Sequence, residues 1–218
     1  MTYKEHSNDH DYFTGDHARQ FLRNHGTGTD NKGRQYLGLI CVTDYENPTV
    51  LDVACGTAVN WECWKGMGVK CQYTGLDLTQ QFLDIAKEKY GDEIKLQRGF
   101  AQEITSLFPP ESFDVVIIRH LLEHIHQGHY EDVVRQALAA AKREVIIVFF
   151  LQPHNNEADI IQERSSNIPD HPEVTHFWNE YSWPKLQNFF AEQGVRVNTR
   201  LVHTPNASHS DLVVRLIK

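Results

Sequence analysis

The sequence predicts an α/β fold: a doubly wound, seven-stranded, mostly parallel sheet with a C-terminal antiparallel hairpin and helices on both faces. Three observations predict it. From residue 49 onward, short apolar runs of strand type alternate with segments of helical period, the pattern of a parallel sheet covered on both sides. The unbroken runs Val115-Val116-Ile117-Ile118 and Val145-Ile146-Ile147-Val148 suit strands buried on both faces, which places them at the centre. The last two runs follow each other without a helix between them and so pair as a hairpin at one edge.

Taken in order, residues 1–15 are polar and show no apolar period. Ala18, Phe21 and Leu22, then Tyr36, Leu37, Ile40 and Cys41, suggest two short helices flanking the loop Gly26 to Gly33. The strand runs are Val50–Val53, Cys71–Leu76, Ile94–Gln97, Phe113–Ile118, Glu144–Leu151, Val195–Val202 and Leu212–Ile217. Helical period falls on Val59–Gly66, Thr79–Tyr90, His129–Ala141 and Ser182–Gln193, and Gly194 stops the last of these. Two regions result: an N-terminal helical lid and substrate segment, 1–48, packed on a core, 49–218, that carries an insertion at about 152–181.

A chain of 218 residues with 40 % hydrophobic and 23 % charged residues is of ordinary globular composition, which excludes disorder, collagen and coiled coil. Chains of this size bury roughly 70 % of their unfolded surface, enough for one sizeable core. The balance of 21 Lys+Arg against 29 Asp+Glu, net −8, argues against a nucleic-acid partner, which calls for a basic face. There is no run of apolar residues long enough for a membrane span, and Met1 to His6 lacks a signal-peptide core, so the expected location is cytoplasmic. Cys41, Cys55, Cys63 and Cys71 fit neither a zinc pair nor a disulfide scaffold and read as reduced thiols. His6, His10, His17 and His25 lack ligand spacing and read as solvated surface.

Chemistry concentrates in Val50-Leu51-Asp52-Val53-Ala54-Cys55-Gly56-Thr57-Ala58-Val59-Asn60: a strand ending in an acid, a tight glycine turn, then a helix. Such a turn brings backbone amides against a ligand, and the helix N-terminus behind it favours negative charge. In Tyr73-Thr74-Gly75-Leu76-Asp77 a second strand ends in an acid, placed to accept both hydroxyls of a ribose. Together they make a nucleoside site at the carboxyl edge of the sheet. The plainer alternative is a βα turn at Gly56 and a helix cap at Asp77. A dinucleotide dehydrogenase is a nearer competitor, but Thr57-Ala58-Val59-Asn60 follows Gly56 where the diphosphate cradle needs further glycines.

These residues resemble the class I, Rossmann-like S-adenosylmethionine-dependent methyltransferases, whose first motif commonly reads apolar-Leu-Asp-x-Ala/Gly-Cys-Gly-Thr-Gly. The resemblance runs from about residue 49 to the end, with Ala58 in place of a frequent second glycine. It implies S-adenosyl-L-methionine as cofactor and S-adenosyl-L-homocysteine as product. Asp52 and the turn Ala54, Cys55, Gly56 and Thr57 would hold the methionine end, and Asp77 with Leu78 the ribose. In Gln97-Arg98-Gly99-Phe100-Ala101-Gln102-Glu103-Ile104 the family often has an acid where Phe100 stands, so adenine recognition falls to backbone amides, stacking, and Ala101, Gln102 and Glu103. Trp64 reads as packing, and Trp61 either packs or shapes the site.

Ser112 to Ile125 is similar to the family's strand end that faces the transferred methyl. Within it, His120-Leu121-Leu122-Glu123-His124 matches a zinc-protease pattern that belongs inside a helix, whereas His120 directly follows a buried strand; no metal site is expected. If His120 and His124 begin a short helix, their spacing puts both on one face, where either could be the general base; a structural histidine is the alternative. Arg119 would bond the adenine edge or an anionic substrate. Gly28 to Gln35 has the glycine spacing of a phosphate loop but lacks its Lys-Ser/Thr, and Phe108-Pro109-Pro110-Glu111 precedes the fourth strand instead of following it.

The acceptor falls to the N-terminal segment and the insertion, with Tyr12, Arg34, His154, Trp178 and Tyr181 as substrate contacts and Asn31, Lys32 and Arg34 as a lid over the cofactor's carboxylate. The reading is methyl transfer to a small-molecule acceptor by a cytoplasmic monomer or homodimer, O- in preference to N-methylation because a hydroxyl must lose a proton. Alternatives are an RNA- or protein-modifying methyltransferase and a non-catalytic, cofactor-binding partner subunit.

Overall fold

The structure, a computed structural model, describes residues 45–149, 153, 161–165, 176–203 and 210–218. The two expected N-terminal helices lie outside the described residues. Seven strands form one sheet: β1 (Thr49–Val53), β2 (Gln72–Asp77), β3 (Lys95–Arg98), β4 (Phe113–Arg119), β5 (Ala141–Phe149), β8 (Arg196–His203) and β9 (Ser210–Ile217). Their order is β3-β2-β1-β4-β5-β9-β8. The first five are parallel, and β9 enters antiparallel between β5 and β8. As the unbroken apolar runs predict, β4 and β5 are central.

Five α-helices are described: α1 (Val59–Gly66), α2 (Gln80–Tyr90), the single turn α3 (Ile104–Leu107), α4 (Tyr130–Ala140) and α5 (Trp183–Glu192). Each longer helix buries one stripe. In α4 this is Val133, Val134, Ala137, Leu138 and Ala140; in α2 it is Phe82, Leu83, Ala86 and Tyr90. One sheet face packs Val50, Tyr73, Val115, Ile117, Ile146 and Val148 against α1 and α2. The other packs Leu51, Val53, Leu76, Val116, Ile118 and Ile147 against α4 and α5. Residues such as Trp64 and Phe190, both 0 % exposed, contribute about 1.5–3 kcal/mol each by leaving water.

One close approach fixes how β2 meets the first turn. A Cβ at Gly75 would lie 2.6 Å from Cys55 Sγ, so only glycine lets the strand pass beneath that side chain.

Two features differ from expectation. The insertion contains an antiparallel hairpin, β6 (Ile161–Ser165) and β7 (His176–Glu180), separate from the main sheet. The polar stretch Gln162-Glu163-Arg164 carries no apolar alternation by which a strand could be read. After β4 the chain makes a 3-10 turn over Leu122–His124 instead of a helix, so the shared helical face expected for His120 and His124 does not exist.

Candidate active site

The carboxyl ends of β1, β2 and β4 lie side by side, because Val53 pairs with both Leu76 and Ile118. After β1 the backbone is left-handed at every second residue: Ala54 at φ 58°, Gly56 at 56° and Ala58 at 60°. For alanine that conformation costs roughly 1–2 kcal/mol. It is held by Cys55 N–H donating to the Leu76 carbonyl at 3.1 Å and Ala58 N–H to that of Cys55 at 3.0 Å. Ala58 thus keeps the glycine-like geometry of the turn, with its methyl fully buried.

The Asp77 carboxylate lies against this turn. One oxygen accepts from Gly56 N–H and the other from Thr79 N–H, both at 2.8 Å. Burial raises its pKa, and those amides pull it back down. Leu78 follows at once in the chain, and its carbonyl accepts from Arg98 Nε at 3.1 Å.

Asp52 is 1 % exposed and stands behind the turn instead of on its surface. Its oxygens accept from Asn60 Nδ2 at 3.0 and 2.9 Å and from the Tyr73 hydroxyl at 2.7 Å. Burial pushes its carboxyl up to about 6, against the lowering effects of Tyr73, the Arg119 charge and Asn60. Tyr73 is flanked by Trp61 at 5.6 Å and Trp64 at 5.8 Å between ring centroids, so both tryptophans pack around the tyrosine that holds Asp52. The sequence alone does not single out Asn60 and Tyr73 as partners of Asp52. Helical phase could have hinted at Asn60, two residues inside α1.

Beyond β3, Gly99 N–H donates to the Asp77 carbonyl at 3.1 Å, and the 3-10 turn Ala101–Glu103 follows. A Gln102 side-chain nitrogen there is shielded from water without a hydrogen-bond partner among the described residues. A buried, unsatisfied donor costs about 1–3 kcal/mol.

His120, which follows β4, has φ 52°, and its N–H donates to the Val148 carbonyl at 3.0 Å. Its Nε2 lies 3.7 Å from Oδ1 of Asp211, a fully buried residue of β9. Asp211 escaped the sequence reading; the available signal was that an antiparallel strand begins at the edge where parallel ones end. His124 is held differently, with Nδ1 3.2 Å from the Phe177 carbonyl and its ring edge-on to Trp178 at 5.0 Å. Tyr181 is 1 % exposed and donates its hydroxyl to the Leu122 carbonyl, which gives it a structural place. Tyr12, Arg34, Asn31, Lys32 and His154 lie outside the described residues. Among the described residues, no three His, Cys, Asp or Glu side chains gather as metal ligands.

Residues 50–144 match a family model described as a methyltransferase domain. No curated protein matches the chain in sequence. Among solved structures, it is similar to a 1,6-didemethyltoxoflavin-N1-methyltransferase of Burkholderia thailandensis, bound to 1,6-didemethyltoxoflavin and S-adenosylhomocysteine. The identity is 15 % and the TM-score 0.72, over 100 % of this chain and 91 % of that one. A magnesium protoporphyrin IX methyltransferase of Synechocystis PCC 6803 with bound S-adenosylmethionine gives 13 %, 0.67, and 97 % of both chains. A Haloferax volcanii protein in complex with the Trm112 methyltransferase activator gives 11 % and 0.70, over 92 % of this chain and 94 % of the structure compared.

Proposed function

We propose that this chain, a class I S-adenosylmethionine-dependent methyltransferase, passes the donor's methyl group to the hydroxyl oxygen of a small-molecule acceptor, with His120 as general base. The observation that carries this reading is the position of His120, at the carboxyl end of the strand next to the donor turn and held in a left-handed conformation. Non-glycine residues in that region cost about 1–3 kcal/mol and cluster at functional sites.

The donor's parts meet fitting groups. The turn Ala54–Thr57 takes the methionine end, with the Asp52 charge behind it and Arg119 beside it. Asp77, already oriented by two amides, accepts the ribose hydroxyls alongside Leu78. Ala101, Gln102 and Glu103 flank the adenine, where the shielded Gln102 nitrogen gains an acceptor. When bound, S-adenosylmethionine supplies a methyl on a cationic sulfonium and leaves as the neutral thioether S-adenosylhomocysteine. Alignment of nucleophile and methyl provides most of the acceleration. His120 removes the proton that makes a hydroxyl a poor nucleophile.

Acceptor choice is assigned to residues 1–48 and to the insertion at about 152–181, with Trp178 beside His124 as its described aromatic surface. The net charge of −8 and the small heterocyclic ligand in the Burkholderia structure favour a small molecule over a polynucleotide. No helix among the described residues is long and apolar enough to cross a membrane. Cys55, Cys63 and Cys71 are free thiols, which suits the cytoplasm.

The test is calorimetric titration with S-adenosylmethionine, S-adenosylhomocysteine and NAD, followed by transfer of a tritiated methyl to a panel of phenols, hydroxy acids and aromatic amines. Binding of both sulfur nucleosides without NAD, label on oxygen, and a loss of about 10²–10⁴-fold in rate for His120→Gln at unchanged donor affinity are expected. Label on nitrogen alone, with His120→Gln fully active, would overturn the base assignment.

A further inference from the structure

The acid behind the donor turn has its own set of hydrogen-bond donors. Asp52 is 1 % exposed, and Asn60 and Tyr73, which meet it from α1 and β2, are 4 % and 3 % exposed. Asn60 Nδ2 donates to both carboxylate oxygens, at 3.0 and 2.9 Å, and the Tyr73 hydroxyl donates to one of them at 2.7 Å. Turned over, the Asn60 amide would set its oxygen against both carboxylate oxygens. In the orientation adopted, Asn60 Oδ1 is shielded from water with no hydrogen-bond partner among the described residues. A buried acceptor left unbonded is costly, and an ionised Asp52, which accepts stronger bonds than a neutral acid, makes that orientation the better one. Trp61 and Trp64 pack on the Tyr73 ring, so the bond from its hydroxyl lies in surroundings of low polarity, where it is strong.

We propose that Tyr73 and Asn60 are positioning residues for the donor: the hydrogen bonds they give keep the buried Asp52 ionised, so that a fixed negative charge stands behind the turn that receives the cationic methionine end of S-adenosylmethionine. The proposal rests on the reading of Ala54–Thr57 as the donor turn. The amides of that turn and the N-terminus of α1 present partial positive charge, which suits the donor's carboxylate but not its ammonium and sulfonium groups. Those need the opposite sign close by. Asp52 is too buried to be touched and acts through its charge, which carries further in the interior than in water.

Burial alone would favour the neutral acid. It pushes the Asp52 carboxyl up to about 6, and the Tyr73 hydroxyl is the largest of the influences that hold it down. Of the other charged groups, Arg119 at the end of β4 also lowers it, and Asp77 at the end of β2 raises it. Cys55 in the turn and Cys71 before β2 are raised by burial first and then by the Asp52 charge, so both stay neutral thiols beside it.

The test compares wild type, Tyr73→Phe and Asp52→Asn in calorimetric titrations with S-adenosylhomocysteine from about pH 5 to 8.5, with 13Cγ-aspartate NMR of the free and bound proteins. The signal lost in Asp52→Asn identifies the carboxyl. Loss of one hydrogen bond to the charged form should move its midpoint up by about one pH unit in Tyr73→Phe, and Asn60→Ala should move it the same way. Affinity of Tyr73→Phe should be several-fold weaker than wild type near about pH 6.5 and equal to it by about pH 8.5, where both carboxyls are ionised. Binding should also lower the wild-type midpoint. An unmoved midpoint in Tyr73→Phe, or an affinity reduced by the same factor at every pH, would overturn the proposal. Should Tyr73→Phe fail to fold, the wild type decides: a midpoint that binding leaves unchanged overturns it. A failure of S-adenosylhomocysteine to bind would instead contradict the donor reading, while the midpoints of the free proteins still tell whether Tyr73 keeps Asp52 ionised.

Discussion

At the scale of single residues, Asp77 uses both carboxylate oxygens to fix the turn it sits against, through Gly56 and Thr79. In Asp77→Asn one oxygen becomes an NH2 group that cannot accept, so one amide loses its partner and the charge proposed to attract the ribose hydroxyls is gone. Hydrogen bonds to charged groups contribute about 1.5–3 kcal/mol. S-adenosylhomocysteine should therefore bind roughly 10- to 100-fold more weakly in a calorimetric titration, and unchanged affinity would remove Asp77 from the donor site. Gly75 makes a prediction of a different kind. Gly75→Ala sets a methyl 2.6 Å from Cys55 Sγ, an overlap of the sort that costs about 1–3 kcal/mol. Removing the sulfur in Gly75→Ala/Cys55→Ala should recover most of that loss in urea unfolding. Additive losses would place the strain elsewhere.

Among elements, the hairpin β6–β7 is fastened to the turn after β4. Asn179 donates to the Leu122 carbonyl at 2.8 Å and the Ile125 carbonyl at 2.6 Å, and the Tyr181 hydroxyl donates to Leu122 as well. The insertion thus braces the segment that carries His120 and His124. Asn179→Ala leaves the Ile125 carbonyl without that donor and should destabilise the fold by about 1–3 kcal/mol. It should also lower kcat while leaving S-adenosylhomocysteine affinity unchanged, which calorimetry and steady-state kinetics separate. This bracing was not legible in the sequence, because it depends on a polar asparagine meeting carbonyls 54 and 57 positions away. The main elements were legible because they are long and periodic: Val59–Gly66 coincides with its expected bounds, and α2, α4 and α5 fall one residue or so inside theirs. After β4 the spacing of His120 and His124 suited a short helix as one option, and the chain forms a 3-10 turn over Leu122–His124 in its place.

For the molecule as a whole, the proposed donor site would make binding depend on pH through its buried acids. Asp52 moves from 3.8 to about 6 on folding, and Asp77 moves upward too. Each binds more protons folded than unfolded. The contribution of Asp52 to stability is therefore fully present below its unfolded pKa and is lost as pH rises through about 6. A cationic donor favours the ionised carboxylate, so the rise in Tm produced by S-adenosylmethionine should grow between about pH 5 and 7 and flatten in Asp52→Asn. Equal shifts at every pH would detach Asp52 from the donor. Of the candidate site, the closeness of the Ala54–Thr57 turn to Asp77 could be read from one strand–turn–helix unit and the strand that follows it. Asp211 could not, because it reaches His120 only through the pairing of β4, β5 and β9. That insertion of β9 between β5 and β8 also orders events at the ribosome. Strands β1 to β5 can pair as they emerge, but β8 is synthesised before the strand that joins it to the sheet. Until β9 arrives, the edge of β5 stands open, and this later-made strand both closes the sheet and delivers the acid opposite His120.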